Sequence, residues 1–72
     1  MYKEGFPEKI KKARNETGFT QEEVSKETKI TRSTIGKYET GDLEPDLEKL
    51  GILADFYEVS VDWLLGTKGN NK

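Results

Sequence analysis

Residues 20–39 read TQEEVSKETKITRSTIGKYE, and this stretch decides the fold of the 72-residue chain. Thr20 and Glu23 stand three places apart in the capping-box arrangement, which predicts a helix beginning at the residue after Thr20. That helix should end near Thr28, because only a short connector follows before Thr31 offers its hydroxyl as a second N-cap. The stretch therefore predicts two short helices joined by a tight turn.

The second predicted helix has a polar outer side. At about 100° per residue, its inner side carries Thr31, Thr34, Ile35, Tyr38 and Glu39. The opposite side carries Arg32, Ser33, Gly36, Lys37 and Thr40. Cationic groups, hydroxyls and a glycine form a surface able to enter a DNA major groove and meet base edges and phosphates. The alternative is a solvated helix face, and this helix alone favours neither interpretation.

Composition limits the kinds of function that the chain can have. With 72 residues and no cysteine, it is expected to be one small domain held together by an apolar core of helices. Histidine is also absent, which removes the usual metal ligands and the usual general base near neutral pH. Neighbouring carboxylates such as Glu22 and Glu23 are interpreted as surface charge. We therefore expect no catalytic residue, no metal, no cofactor and no small-molecule ligand.

Charge is distributed unevenly along the chain. Residues 1–37 contain nine Lys/Arg and six Asp/Glu, whereas residues 38–72 contain three and eight, which together give the net charge of −2. If the first three predicted helices form one side of the domain, that side can approach a polyanion while the acidic remainder points away. The absence of cysteine and of any long apolar run predicts a cytoplasmic protein with no membrane contact.

Three further helices complete an all-α prediction. Their expected ranges are 7–17, 47–57 and 61–65. Gly18 should end the first, and Asp46 and Ser60 should cap the other two. The apolar positions assigned to the core are Phe6, Ile10, Ala13, Phe19, Leu47, Leu50, Leu53, Ala54, Tyr57, Val61, Leu64 and Leu65. Residues 1–5 are expected to form a flexible arm, and residues 67–72 a disordered tail.

Several short motifs, in their order and spacing, resemble one known family. They are TQEE at 20–23, TRSTI at 31–35, YE-x-G at 38–41, Pro45, and VSVDWLLG at 59–66. Over residues 6–66 they resemble the Cro/C1-type family of DNA-binding domains, which is phage-repressor-like and also called XRE. The resemblance implies a compact five-helix, lambda-repressor-like domain that binds double-stranded DNA through a helix-turn-helix at residues 20–39.

The resemblance also implies roles for individual residues. Arg32, Ser33 and Lys37 are expected to read bases, Thr31 and Thr34 to help at the groove edge, and Gln21 to fix a phosphate. Arg14 and Glu39 occupy places where the family often pairs an arginine with a glutamate to fix the recognition helix against its scaffold. Lys29 stands where the turn usually has glycine, so it must adopt a positive φ at roughly 1 kcal/mol or reshape the turn.

Three large apolar side chains are expected to project away from the core. Ile52 and Phe56 lie one turn apart on nearly the opposite side of the fourth helix from its core positions, and Trp63 points outward on the fifth. A contiguous patch of this kind commonly marks an interface, so it predicts a homodimer. The alternative is that one or more of these residues completes the small core. Family members often pair through their C-terminal helices, which agrees with the first interpretation.

The leading functional prediction is a sequence-specific transcriptional regulator, a repressor, that recognises an inverted-repeat operator as a homodimer. The alternative is an antitoxin or another partner-binding module, whose acidic rear binds a protein and whose DNA contact is secondary. An enzyme is nearly excluded, because the chain offers no pocket-forming pattern around its carboxylates.

Overall fold

The computed structural model describes residues 5–66, in which the regular structure consists of five helices. They are α1 (Phe6–Thr17), α2 (Gln21–Thr28), α3 (Arg32–Thr40), α4 (Leu47–Tyr57) and α5 (Val61–Leu65). The predicted all-α, five-helix fold is confirmed. The predicted arm and tail, residues 1–5 and 67–72, lie outside the described residues except for Gly5, which precedes α1. Between residues 5 and 66, no helix has the length and hydropathy to span a membrane.

Side-chain caps start four of the helices at the positions that the sequence predicts. The capping residues of α2 to α5 are Thr20, Thr31, Asp46 and Ser60, and each accepts the backbone N–H three residues on. In α2 the arrangement is reciprocal, because the Glu23 carboxylate also accepts the Thr20 backbone N–H at 2.9 Å. These bonds satisfy N–H groups that a helix start otherwise leaves unpaired.

Two of the helices end on a residue other than glycine in the left-handed region. Lys29 ends α2 with φ 66° and Glu58 ends α4 with φ 60°. Lys29 therefore adopts the positive φ, and the turn keeps its shape. A side chain in this region costs about 1 kcal/mol relative to glycine, since Cβ crowds the backbone.

All five helices contribute side chains to one core. Its buried apolar side chains are Phe6, Ile10, Ala13, Val24, Ile30, Ile35, Tyr38, Leu50, Leu53, Ala54, Tyr57 and Leu64. α1 packs against α3, α4 and α5, while α2 packs against α3 and α4. α3 is thus held from two sides by α1 and α2 and keeps one side free.

Two residues assigned to the core from periodicity are exposed. Leu47, the first residue of α4, is 80% exposed. Phe19 is 36% exposed in the connection between α1 and α2, where it stacks against Phe56 with ring centroids 5.1 Å apart. Val61 and Leu65 are only half-buried at the edge of the core. Periodicity alone does not report whether a helix end reaches the core.

Candidate nucleic-acid interface

α3 separates its side chains into a buried set and an exposed set. Ile35, Tyr38 and Glu39 are buried against the scaffold, whereas Arg32, Ser33, Lys37 and Thr40 are exposed. Gly36 is half-buried between the exposed residues. The helix therefore presents a guanidinium, an ammonium and hydroxyls on one surface, and it is held by apolar contacts on the other.

The first turn of α3 is held by two threonines. Thr31 Oγ1 accepts the Thr34 backbone N–H at 3.2 Å and donates to Thr34 Oγ1 at 2.9 Å. Thr31 is exposed and Thr34 is half-buried, so both hydroxyls lie at the margin of the exposed face. Their mutual hydrogen bond orders the first turn of α3.

The turn between α2 and α3 is stabilised by a polar side chain inside the protein. Thr28 is 9% exposed, and its hydroxyl donates to the Val24 carbonyl at 2.7 Å while accepting the Ile30 backbone N–H at 3.3 Å. Because both hydrogen-bonding roles of the hydroxyl are used, a buried threonine is tolerated here. Ile30, two residues further on in the turn, is buried in the core.

A partly buried ion pair attaches α3 to α1. Arg14 Nε donates to Glu39 Oε2 at 2.7 Å and Arg14 Nη2 donates to Oε1 at 3.1 Å. The two side chains are 13% and 3% exposed. Arg14 Nη1 also donates to the Phe19 carbonyl at 2.9 Å. The hydrogen bonds to Glu39 raise the pKa of Arg14 above its ordinary value. This bidentate geometry holds the guanidinium in one place.

Gln21, the first residue of α2, lies against α3. Its Nε2 donates to Glu39 Oε1 at 3.0 Å. A Cβ built on Gly36 would lie 3.8 Å from both Nε2 and Oε1 of Gln21, so the amide rests over the glycine. Sequence reasoning missed this contact, because the two hydrogen-bonded residues are 18 positions apart and no local pattern links them.

The three apolar side chains of α4 and α5 expected to project from the core have unequal surroundings. Ile52 and Trp63 are 37% and 36% exposed, whereas Phe56 is half-buried and stacks against Phe19 and Tyr57. Trp63 is covered in part by Lys9, whose Nζ lies 5.6 Å from the ring centroid. Lys9 Nζ also donates to the Trp63 carbonyl at 2.9 Å. Thus Phe56 and Trp63 each have an intramolecular aromatic or cationic partner, and Ile52 adjoins Phe56 one turn away.

The helices α2 and α3 are joined by a three-residue turn, and α3 has a polar exposed side. This arrangement defines a helix-turn-helix domain. Residues 10–64 match the sequence model of a helix-turn-helix family. The chain belongs to that family, the Cro/C1-type that the sequence resembles, and the prediction of its family is confirmed. The family is one of non-enzymatic transcriptional regulators, which agrees with the interpretation of the carboxylates as surface charge.

Curated relatives carry regulator names. The chain is 43% identical over 60 residues to the SPbeta prophage-derived uncharacterized HTH-type transcriptional regulator YonR of Bacillus subtilis (strain 168), which covers 83% of the chain and 56% of the relative. It is 36% identical over 58 residues to the HTH-type transcriptional regulator ImmR of the same organism, and the match covers 81% of the chain and 46% of ImmR. It is 33% identical over 60 residues to the HTH-type transcriptional activator BcrR of Enterococcus faecalis, and the match covers 83% of the chain and 29% of BcrR. The chain spans about half the length of the first two relatives.

Proposed function

We propose that the protein is a sequence-specific DNA-binding regulator that inserts α3 into the major groove of double-stranded DNA. The observation that carries the proposal is the division of α3, with Ile35, Tyr38 and Glu39 buried and Arg32 and Lys37 exposed. A base-reading helix needs this arrangement, because donors must reach base edges from a backbone that does not move. The regulator names of the relatives support the same function.

The proposal is tested on the two exposed cations of α3. Arg32→Ala should weaken operator binding by about 1–3 kcal/mol and relax the preference at one base pair, if the guanidinium reads a base. Lys37→Ala should also weaken operator binding. Lys49→Ala is the matched control, because it removes one positive charge from α4, on the acidic part of the chain. Operator sequences are first selected from random duplex, and dissociation constants are then measured by fluorescence anisotropy.

The outcomes of this experiment are distinct. If Arg32 contacts only a phosphate, Arg32→Ala will weaken all duplexes alike and leave the sequence preference unchanged. Parent-like operator binding by both α3 variants would rule out the assignment of α3 to the groove. Circular dichroism should report a parent-like fold for all three variants, since all three side chains lie outside the buried core.

Binding is proposed to occur as a homodimer on an inverted repeat. Ile52 is exposed and follows the same side of α4 as Phe56, and exposed apolar groups of this size favour contact with another surface. Two copies related by a two-fold axis would place two recognition helices about one helical turn of DNA apart. Trp63 is included in the proposed interface with Ile52 and Phe56.

Ile52→Glu is the sharpest test of this interface. Phe56→Glu would also disturb the stacking of Phe56 against Phe19, whereas Ile52 is already exposed. We expect Ile52→Glu to sediment as a folded monomer and to lose operator affinity. Leu47→Glu, on the same helix at an 80% exposed leucine, is the matched control and should remain dimeric. A parent that sediments as a monomer at high concentration would contradict the proposed dimer.

Repression is the proposed outcome of operator binding. A bound domain can block a promoter by occupancy alone, without a second contact to another protein. One relative bears the name of an activator, so a reporter gene placed downstream of the selected operator provides the test. Expression should fall when the protein is supplied, and a rise would contradict repression while leaving DNA binding intact.

The second candidate function is an antitoxin or another partner-binding module with secondary DNA binding. Residues 42–66 carry seven Asp/Glu and a single lysine, Lys49, which favours a basic protein partner for this part of the chain. Salt titration separates the two functions. A regulator should prefer its operator over random duplex and lose affinity linearly in log salt concentration. Equal affinity for operator and random duplex would favour the partner-binding module.

A further inference from the structure

Gln21 lies where the proposed DNA-binding face meets the ion pair. Its Nε2 donates to Glu39 Oε1, and the same oxygen accepts from Arg14 Nη2. A carboxylate only accepts hydrogen bonds, so it can hold the N–H end of an amide but not the oxygen end. A reversed Gln21 would place its own oxygen against Glu39. The contact therefore selects one of the two orientations of the amide.

This orientation has a consequence for a phosphate. A primary amide carries two N–H donors, and only one of them is needed for Glu39. Gln21 is half-buried at the first residue of α2, and its amide rests over Gly36 on the same side as the exposed residues of α3. Phosphate oxygens accept hydrogen bonds and repel other oxygens. The orientation of the amide hence decides whether Gln21 attracts or repels a DNA backbone.

We infer that Glu39 is a positioning residue for DNA binding, which holds the Gln21 amide so that its second N–H donates to a phosphate. The inference rests on the proposed function, because it requires DNA along α3. Glu39 then has two tasks. Through Arg14 it attaches α3 to α1, and through Gln21 it orients a donor at the DNA backbone.

A double-mutant cycle distinguishes these two tasks. Gln21→Ala should lower operator affinity about tenfold, the value of one lost hydrogen bond to a charged group. Glu39→Met, which has no oxygen to accept from Gln21, should lower it by a similar factor in the parent but cause little further loss in the Gln21→Ala background. Dissociation constants are measured at a temperature where circular dichroism shows each variant folded. Losses that simply add would overturn the inference, because Glu39 would then act only on the scaffold.

Two further measurements keep the test independent of stability. Glu39→Asp retains the negative charge beside Arg14 but shortens the side chain by one methylene, so it replaces Glu39→Met if that variant unfolds. In the free protein, the side-chain N–H signals of Gln21 in a ¹H–¹⁵N correlation spectrum should shift in either Glu39 variant. Unchanged signals would contradict the contact.

Sequence preference separates this inference from the proposed function. Since phosphate contacts carry no sequence information, Gln21→Ala should weaken operator and random duplex alike. Parent-like binding by Gln21→Ala, together with a loss of specificity in Arg32→Ala, would overturn the inference and leave the proposed function in place. If neither variant changes binding, the proposed function itself is wrong.

Discussion

At the scale of single residues, Glu39 is the side chain with the most demanding surroundings. Its carboxylate is 3% exposed, and it accepts hydrogen bonds from Arg14 and Gln21. A buried charge is expensive unless its partners are in place, so removal of one partner costs more than the pair contributes. The ion pair is therefore a sensitive point for stability as well as a fixed point for α3.

Arg14→Ala should destabilise the domain by about 3 kcal/mol, because it leaves the Glu39 carboxylate buried with only Gln21 as a partner. For a domain of this size the melting temperature should fall by more than about 10 °C. Lys12→Ala is the control, since Lys12 and Glu16 form a 4.0 Å pair with side chains 64% and 67% exposed. It should cost well under 1 kcal/mol. An unchanged melting temperature for Arg14→Ala would mean that the pair does not form in solution.

Tyr57 offers a prediction that depends on pH. Its hydroxyl is buried and has no hydrogen-bond partner within residues 5–66, and burial raises the pKa of Tyr57 to about 12. The unfolded chain loses this proton near pH 10, whereas the folded protein keeps it up to about pH 12. Ionisation of Tyr57 therefore leaves the free energy of unfolding unchanged below pH 10 and lowers it as the pH rises from 10 to about 12. The two-unit difference corresponds to roughly 2–3 kcal/mol.

Tyr57→Phe should accordingly be at least as stable as the parent at pH 7, because it removes an unsatisfied buried hydroxyl. Between pH 10 and 12 it should become progressively more stable than the parent. Urea unfolding of both proteins at pH 7, 10 and 11.5 measures the difference. A large loss of stability at pH 7 would show that the hydroxyl has a partner, such as a buried water.

At the scale of helices, the caps act between close neighbours. Asp46 accepts the Lys49 backbone N–H at 2.9 Å, and this bond lowers the pKa of Asp46. The C-terminal ends of α2 and α4 have a less favourable backbone conformation, because Lys29 and Glu58 occupy the left-handed region without being glycine. Glu58 also places a negative charge at the C-terminal end of α4, where the helix dipole is negative.

Glu58→Gly should stabilise the domain, and it should be about 1 kcal/mol more stable than Glu58→Ala, its matched control. Both variants remove the same charge, but only glycine relieves the crowding of Cβ at φ 60°. The same comparison at Lys29 tests the turn between α2 and α3. Thermal melting of the four variants is sufficient. Equal stability of the glycine and alanine variants would mean that the helix ends rearrange in solution.

At the scale of the whole molecule, charge separates along the chain. The +3 of residues 1–37 includes Arg32 and Lys37 on α3, while residues 42–66 carry seven carboxylates and one lysine around the proposed interface. The first group attracts a polyanion, and the second repels a second copy of itself. Salt screens both interactions, over a distance of about 10 Å at 0.1 M.

DNA binding and dimer formation should therefore respond to salt in opposite directions. Between 50 and 500 mM salt, operator affinity should fall, with a slope of about 0.9 in log units per phosphate neutralised. The dimer measured without DNA should become tighter over the same range, because repulsion between the acidic surfaces is screened. Sedimentation equilibrium and anisotropy provide the two curves. A dimer that weakens with salt would place basic residues in the interface.

The sequence alone was sufficient to predict where the helices lie and which side of α3 is exposed. The caps, such as Thr20 with Glu23, join residues three apart, and helical periodicity places Arg32 and Lys37 opposite Ile35. Such signals are local, so they do not depend on the rest of the fold. The resemblance added the pairing of Arg14 with Glu39, which periodicity does not indicate.

Tertiary structure decided the contacts between distant residues. The amide of Gln21 meets Glu39 across 18 positions, and Phe56 meets Phe19 rather than projecting into solvent. Leu47 follows the core periodicity of α4 and is nevertheless exposed, because burial requires another element on the facing side. Periodicity sets the direction in which a side chain points, whereas only the packing of the helices decides what it meets there.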